Sequence, residues 1–125
     1  MFAYNSVTHG GDGFFLWAGQ TTMDTGAGGC NNNYVYKNDF SYAPTNGVEI
    51  TFSKNNILEN IIKECDHGIW GGYSWKTSIY GNQFYKNRIG IAIEHGQHIN
   101  ISGNTFDSNK QAAIKIWARN SQPAD

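Results

Sequence analysis

The stretch Asn82-Gln83-Phe84-Tyr85-Lys86-Asn87-Arg88-Ile89-Gly90-Ile91-Ala92-Ile93 decides the fold of this 125-residue chain. It has the form Asn-x-Phe-x-x-Asn-x-x-Gly-Ile-x-Ile. The segment that begins at Asn104 restarts the pattern 22 residues later, and the segment that begins at Asn60 precedes it by the same distance. A period of this length indicates a repeat fold in which similar units stack on one another.

Alignment of every repeat on its first asparagine predicts five coils. The anchors are Asn5, Asn33, Asn60, Asn82 and Asn104. A short apolar strand follows later in each coil, usually after a glycine, and alternate residues of a strand face the same side. The residues expected to stack inward are Phe14, Val48, Ile69, Ile91 and Ile114, together with Leu16, Ile50, Ile93 and Ile116.

Two of the predicted coils are longer than the others. Their extra residues fall near 20–29 and 39–46, and insertions in a stacked repeat are expected to form loops at one rim. The two cysteines, Cys30 and Cys65, fall in different columns of the alignment. Because a disulfide needs Cα atoms within about 7 Å, both are expected to be free, buried thiols.

The repeat pattern resembles that of the right-handed parallel β-helix superfamily of the pectate-lyase-like type, from Phe2 to about Trp117. This resemblance implies an all-β fold, a right-handed single-stranded parallel β-helix of about five coils that fills residues 1–125. Stacked coils need covered ends, and neither end shows an obvious cap. The chain is therefore expected to be a segment of a longer solenoid, or to associate end to end.

Composition and charge exclude two classes of partner. The net charge is −1 and no basic run occurs, which argues against nucleic acid. No apolar stretch approaches 18 residues, which argues against membrane insertion by a helix. The first residues lack the basic start and apolar core of a signal peptide. The resemblance nevertheless implies a secreted, periplasmic or cell-surface location.

Two glutamates and one histidine are the catalytic candidates: Glu49, Glu94 and His67. The glutamates lie two coils apart, which separates their backbones by roughly 10 Å. Their side chains could shorten that to the 5–9.5 Å range of a glycosidase carboxylate pair. His67 is expected to position a carboxylate or to act as a base, since its charge changes near neutral pH.

Aromatic and polar residues beside the catalytic candidates are predicted to bind substrate. They are Trp70, Tyr73, His95, Asp12, Asn46 and Lys115. Exposed aromatic rings on a flat sheet indicate a partner surface, here a sugar. Each of these residues also fits a plain role, as a solvated strand residue, a turn residue or packing under a loop. Lys115 and Arg88 do not share a column, which favours a neutral sugar over an acidic one.

No cofactor is predicted. The histidine and cysteine spacings match no metal-site pattern. Calcium would need several clustered carboxylates, and Asp12, Asp39, Asp66 and Glu49 are scattered along the chain.

Three functions fit the sequence. The first is a carbohydrate-active enzyme, either a glycoside hydrolase or a polysaccharide lyase. The second is a carbohydrate-binding or surface module without catalysis, and the third is a structural segment of a larger solenoid.

Overall fold

The chain folds as an all-β solenoid. The computed structural model describes residues 1–17, 31–51 and 54–117. Every strand pair in these ranges is parallel. The strands are β1 Phe2–Ala3, β2 Phe14–Trp17, β3 Tyr34–Tyr36, β4 Asn46–Thr51, β5 Asn56–Leu58, β6 Ile61–Lys63, β7 His67–Trp70, β8 Ser78–Tyr80, β9 Gln83–Tyr85, β10 Ile89–Glu94, β11 Asn100–Ser102, β12 Thr105–Asp107 and β13 Ala112–Trp117.

The strands form three parallel sheets that run along the stack. Sheet I has the order β1-β3-β5-β8-β11, sheet II the order β2-β4-β7-β10-β13, and sheet III the order β6-β9-β12. Each turn of the chain adds one level to the stack, and five levels are joined by about four turns. This arrangement confirms the predicted all-β parallel solenoid.

Alternation along the strands places the core between the sheets. Val48, Ile69 and Ile91 are fully buried in neighbouring strands of sheet II, as the period-2 pattern predicts. In the last level the same columns are open, and Ile116 is 61% exposed, because β13 is the edge strand of sheet II.

A ladder of asparagines joins successive levels at one corner. Asn60 donates to Asn82 Oδ1 from both its backbone N and its Nδ2, at 2.8 and 3.0 Å. Asn82 donates to Asn104 Oδ1 in the same way. These amides are buried without loss because each one is hydrogen-bonded. Among the described residues, no buried side-chain nitrogen or oxygen lacks a hydrogen-bond partner.

The predicted anchor of the second coil, Asn33, is wrong. Asn38 occupies the ladder position, since it accepts a hydrogen bond from the Asn5 backbone N and donates to Asn60 Oδ1. Asn33 donates instead to Asn55 in a separate ladder. The cause is core filling, because the observed register buries Phe40 completely.

The same shift corrects two further expectations about the second coil. Val35, rather than Cys30, pairs with Phe2 and with Ile57 on the neighbouring strands. Residues 39–46 do not form an inserted rim loop, because Ser41 and Ala43 are buried. This segment carries only one extra residue, since Asn38 is one position further from Gly47 than Asn60 is from Gly68.

Two remaining expectations fall partly on residues that are not described. The predicted loop at 20–29 and Cys30 lie outside the described residues. Cys65 is buried and free, as expected. The described residues contain no helix of the length and apolarity needed to cross a bilayer.

Candidate functional site

The outward side of sheet II, here called the candidate face, carries or flanks all nine residues that the sequence predicts for a site. Its central column runs through five levels by Cα pairing, from Phe15 to Glu49, Trp70, Ala92 and Lys115. Adjacent levels of a sheet lie about 4.8 Å apart. The column therefore sets an exposed ring, a carboxylate and a second ring side by side.

Glu49 is half-buried on β4 and is held by neutral donors. The Nδ2 of Asn46 donates to Glu49 Oε1 and the hydroxyl of Thr51 donates to Glu49 Oε2, both at 3.0 Å. Desolvation raises the pKa of Glu49 and the nearby charge of Asp12 raises it further, although the two hydrogen bonds oppose this. Glu49 is thus a carboxylate that takes up a proton more readily than usual.

Asp12 and Asn46 connect the first two levels beside Glu49. Asp12 Oδ1 accepts hydrogen bonds from the Thr45 hydroxyl and from the Asn46 backbone N. Asn46 pairs by Cα with His67 in the next level, as the predicted column requires. Asn46 therefore touches three candidates at once, because its side chain contacts both Glu49 and His67.

His67 is held by both ring nitrogens. Its Nδ1 lies 3.0 Å from Asn46 Oδ1, and its Nε2 lies 3.1 Å from Arg88 Nη2. Arg88 can only donate, so Nε2 is the acceptor and Nδ1 carries the proton. Desolvation lowers the pKa of His67, against the opposing charge of Asp66. The ring is therefore neutral near pH 7, and its 3.5 Å contact with Asp66 is not an ion pair there.

Arg88 is a member of this network that the sequence prediction did not include. It forms an ion pair with Asp66 in the preceding level and donates to Gln111 in the following one. The hydrogen bond from Arg88 is the main reason that the pKa of Asp66 is lowered. A usable signal was present, since these opposite charges stand one 22-residue period apart.

Two tryptophans meet above β10. The ring centroids of Trp70 and Trp117 lie 5.5 Å apart, although their strands are separated by β10. The position between them is Ala92, which is fully buried despite pointing outward. A small residue there lets the two rings lean together. Lys115 Nζ lies 5.1 Å from the Trp117 ring, which adds a cation–π contact.

Glu94 differs from Glu49 in its surroundings. It ends β10, is only 8% exposed, and pairs by Cα with Trp117. It stands two residues beyond Ala92, so the two glutamates occupy neighbouring columns as well as different levels. The structure thus places Glu49 on the open part of the candidate face and Glu94 in a covered part.

Tyr73 and His95 lie just beyond the ends of β7 and β10. Their rings stack at 5.1 Å with an interplanar angle of 8°. Both backbones are left-handed, with φ of 57° and 55°, a conformation that few non-glycine residues adopt. They flank the candidate face as a stacked pair rather than as part of the Glu49 network.

A family model described as periplasmic copper-binding protein, NosD, matches residues 4–123. The chain belongs to the NosD family. The family description agrees with the expected location outside the cytoplasm, and its periplasmic part is the finer statement. Neither the comparison with characterised proteins nor that with solved structures finds a significant match.

The metal in the name of the NosD family does not fit the residues on view. Within residues 1–17, 31–51 and 54–117, no three histidine, cysteine, aspartate or glutamate side chains come together to hold an ion. Burial raises the pKa of the Cys65 thiol to about 11, whereas a metal ligand must be a thiolate. His67 has both nitrogens engaged. The described part of this NosD chain therefore offers no copper centre.

Proposed function

We propose that the protein is a periplasmic module that binds an oligosaccharide or polysaccharide on the candidate face without cleaving it. One observation carries this proposal: the column in which Phe15, Glu49 and Trp70 follow one another on adjacent levels. Rings beside polar acceptors suit a sugar, whose apolar ring faces stack on aromatics while its hydroxyls need partners. Phe15 is 52% exposed, which leaves its ring accessible.

The binding proposal is tested with a glycan array followed by titration of the best ligand. We expect Trp70→Ala to weaken binding by about tenfold, which corresponds to about 1.4 kcal/mol. Tyr80→Ala is the matched control, because Tyr80 is an equally accessible aromatic on sheet I, 53% exposed. Circular dichroism checks that both variants fold. Equal losses in the two variants, or no glycan bound by the wild type, would reject the proposal.

Acid–base cleavage is the second candidate function. The raised pKa of Glu49 favours it, because a general acid must hold its proton near the working pH. Glu94 would then be the partner carboxylate and His67 the group that positions Glu49 through Asn46. The burial of Glu94 and the double engagement of His67 are the reasons for placing binding first.

Cleavage is tested by digestion of the bound glycan. If cleavage occurs, Glu49→Gln is expected to abolish product formation while binding and folding persist, and Glu94→Gln to do the same. Full turnover in both variants would remove this candidate, and product formation by the wild type would turn the module into an enzyme.

A further inference from the structure

We infer that the candidate face selects a saccharide that carries an ammonium group, bound between Phe15, Glu49 and Trp70. This inference rests on the proposed function and names the substrate class for that site. It departs from the neutral sugar that the sequence favours.

The first step of the argument is charge. Asp12 and Glu49 stand on adjacent levels and are joined through Asn46. Their hydrogen-bond donors are neutral: the Thr45 and Thr51 hydroxyls and the Asn46 amide groups. The two ion pairs of the described residues both use Asp66 instead. This end of the face therefore carries two negative charges without a cation of the described residues in contact.

The second step is the distribution of positive charge. Arg88 is neutralised by its ion pair with Asp66, and His67 is neutral because desolvation lowers its pKa. Lys115 lies on the last level, three levels from Glu49, with its Nζ over the Trp117 ring. The face is thus negative near Glu49 and positive near Lys115. A cationic ligand group is attracted to the Glu49 end.

The third step is the aromatic environment. Phe15 and Trp70 flank Glu49 on the levels above and below it. An ammonium group is attracted to the face of an aromatic ring as well as to a carboxylate. A ring–carboxylate–ring column can hold both parts of an amino sugar, the apolar ring face and the charged amine. A uronate would meet the charge of Glu49 with its own.

The experiment compares two ligands that share one backbone. A glucosamine hexamer is cationic, and an N-acetylglucosamine hexamer is neutral with the same linkage. Affinities of the full chain are measured by calorimetry in buffer with EDTA, so that a metal ion cannot bridge carboxylate and sugar. We expect the glucosamine hexamer to bind at least about tenfold more tightly, the size of one charge-assisted hydrogen bond.

The variants are isosteric. Glu49→Gln keeps an acceptor for Asn46, and it is expected to remove the preference for the cationic hexamer while binding of the neutral hexamer persists. Asp12→Asn is a second, independent variant with the same expectation. Glu59→Gln is the matched control, since Glu59 is an exposed glutamate between β5 and β6, away from sheet II.

The outcomes separate this inference from the proposed function. Equal binding of the two hexamers overturns the inference and leaves saccharide binding intact. A loss in Glu59→Gln as large as that in Glu49→Gln also overturns it, because the preference would then reflect the overall charge. Binding that EDTA abolishes overturns it in favour of a metal bridge. Failure to bind any saccharide rejects the proposed function itself.

Discussion

Buried asparagines are the residues on which the stack most depends. Asn82 is fully buried, accepts from the Asn60 backbone N and side chain, and donates to Ile57 O and Asn104 Oδ1. Removing such a side chain strands several buried partners, and each stranded group costs about 1–3 kcal/mol.

Asn82→Ala is therefore expected to lower the free energy of unfolding by about 3 kcal/mol, measured by urea denaturation. Asn100→Ala is the control, because Asn100 is exposed on β11; a change within about 0.5 kcal/mol is expected there. Similar losses in both variants would contradict the special role of the ladder.

His67 predicts a pH dependence of stability. Its pKa is lowered in the folded chain, so the unfolded chain binds the proton more tightly. Stability from this group is fully present above the unfolded value of about 6.5, and it falls as the pH drops from there through the folded pKa. Asp66, Arg88 and Lys115 are the charged groups that face this ring.

We expect His67→Gln to flatten the decline of unfolding free energy below about pH 6.5, measured by denaturation at a series of pH values. The exposed His98 supplies the control substitution, His98→Gln. A wild-type profile in His67→Gln would show that another group carries the dependence.

At the scale of the strand, glycine decides how closely sheet II approaches the opposite wall of the core. A Cβ at Gly68 would lie 2.4 Å from Gly90 O and 2.8 Å from the Phe84 ring. Both neighbours are fixed, one by the backbone and the other by core packing. Gly11 is different, because nothing lies within 4 Å of the position that a Cβ would take there.

Gly68→Ala is expected to cost about 2–3 kcal/mol of unfolding free energy by overpacking. Gly11→Ala should be neutral or slightly stabilising, since alanine reduces the freedom of the unfolded chain. Thermal denaturation of the two variants checks this, and a tolerated Gly68→Ala would contradict the close approach.

The register of the second coil gives a prediction of its own. Phe40 is fully buried and packs near Phe2 and Phe14, with centroids at 6.1 and 5.8 Å. Phe40→Ala is expected to cost about 3–5 kcal/mol. Tyr42→Ala, at a 42% exposed position two residues later, should cost far less. Equal, small effects in denaturation would favour an inserted loop at 39–46.

At the scale of the whole molecule, the stack has a protected middle and an open end. Phe84 is fully buried in the fourth level, and its ring stacks on Phe106 of the last level at 5.0 Å. Levels contact only their neighbours, so stability is close to a sum of terms between adjacent levels. Damage at one end is therefore expected to stay local.

Phe106→Ala is expected to speed amide hydrogen exchange in β11, β12 and β13 while β4 and β7 stay protected. Phe84→Ala should lower protection throughout the stack. Native-state exchange read by mass spectrometry distinguishes the two patterns, and global loss of protection in Phe106→Ala would indicate a fully cooperative solenoid.

Much of the stack was predictable from sequence because the solenoid repeats its local chemistry. The Gly-Ile-x-Ile strands and the asparagine at Asn60, Asn82 and Asn104 recur at a constant spacing, and each column has one physical role. The second coil was misjudged because Asn33 and Asn38 both fit an anchor. Only Asn38-Asp39-Phe40 also supplies the aromatic two positions later.

The sequence by itself determined the parallel solenoid and the column that sets Phe15, Glu49 and Trp70 side by side, because strand alternation and the repeat period are local properties. The tertiary structure alone decided which groups are covered and which are paired. Trp70 reaches Trp117 across Ala92, Glu94 is buried, and Arg88 joins His67 to Asp66. Those contacts join levels, so they depend on the packing of one turn against the next.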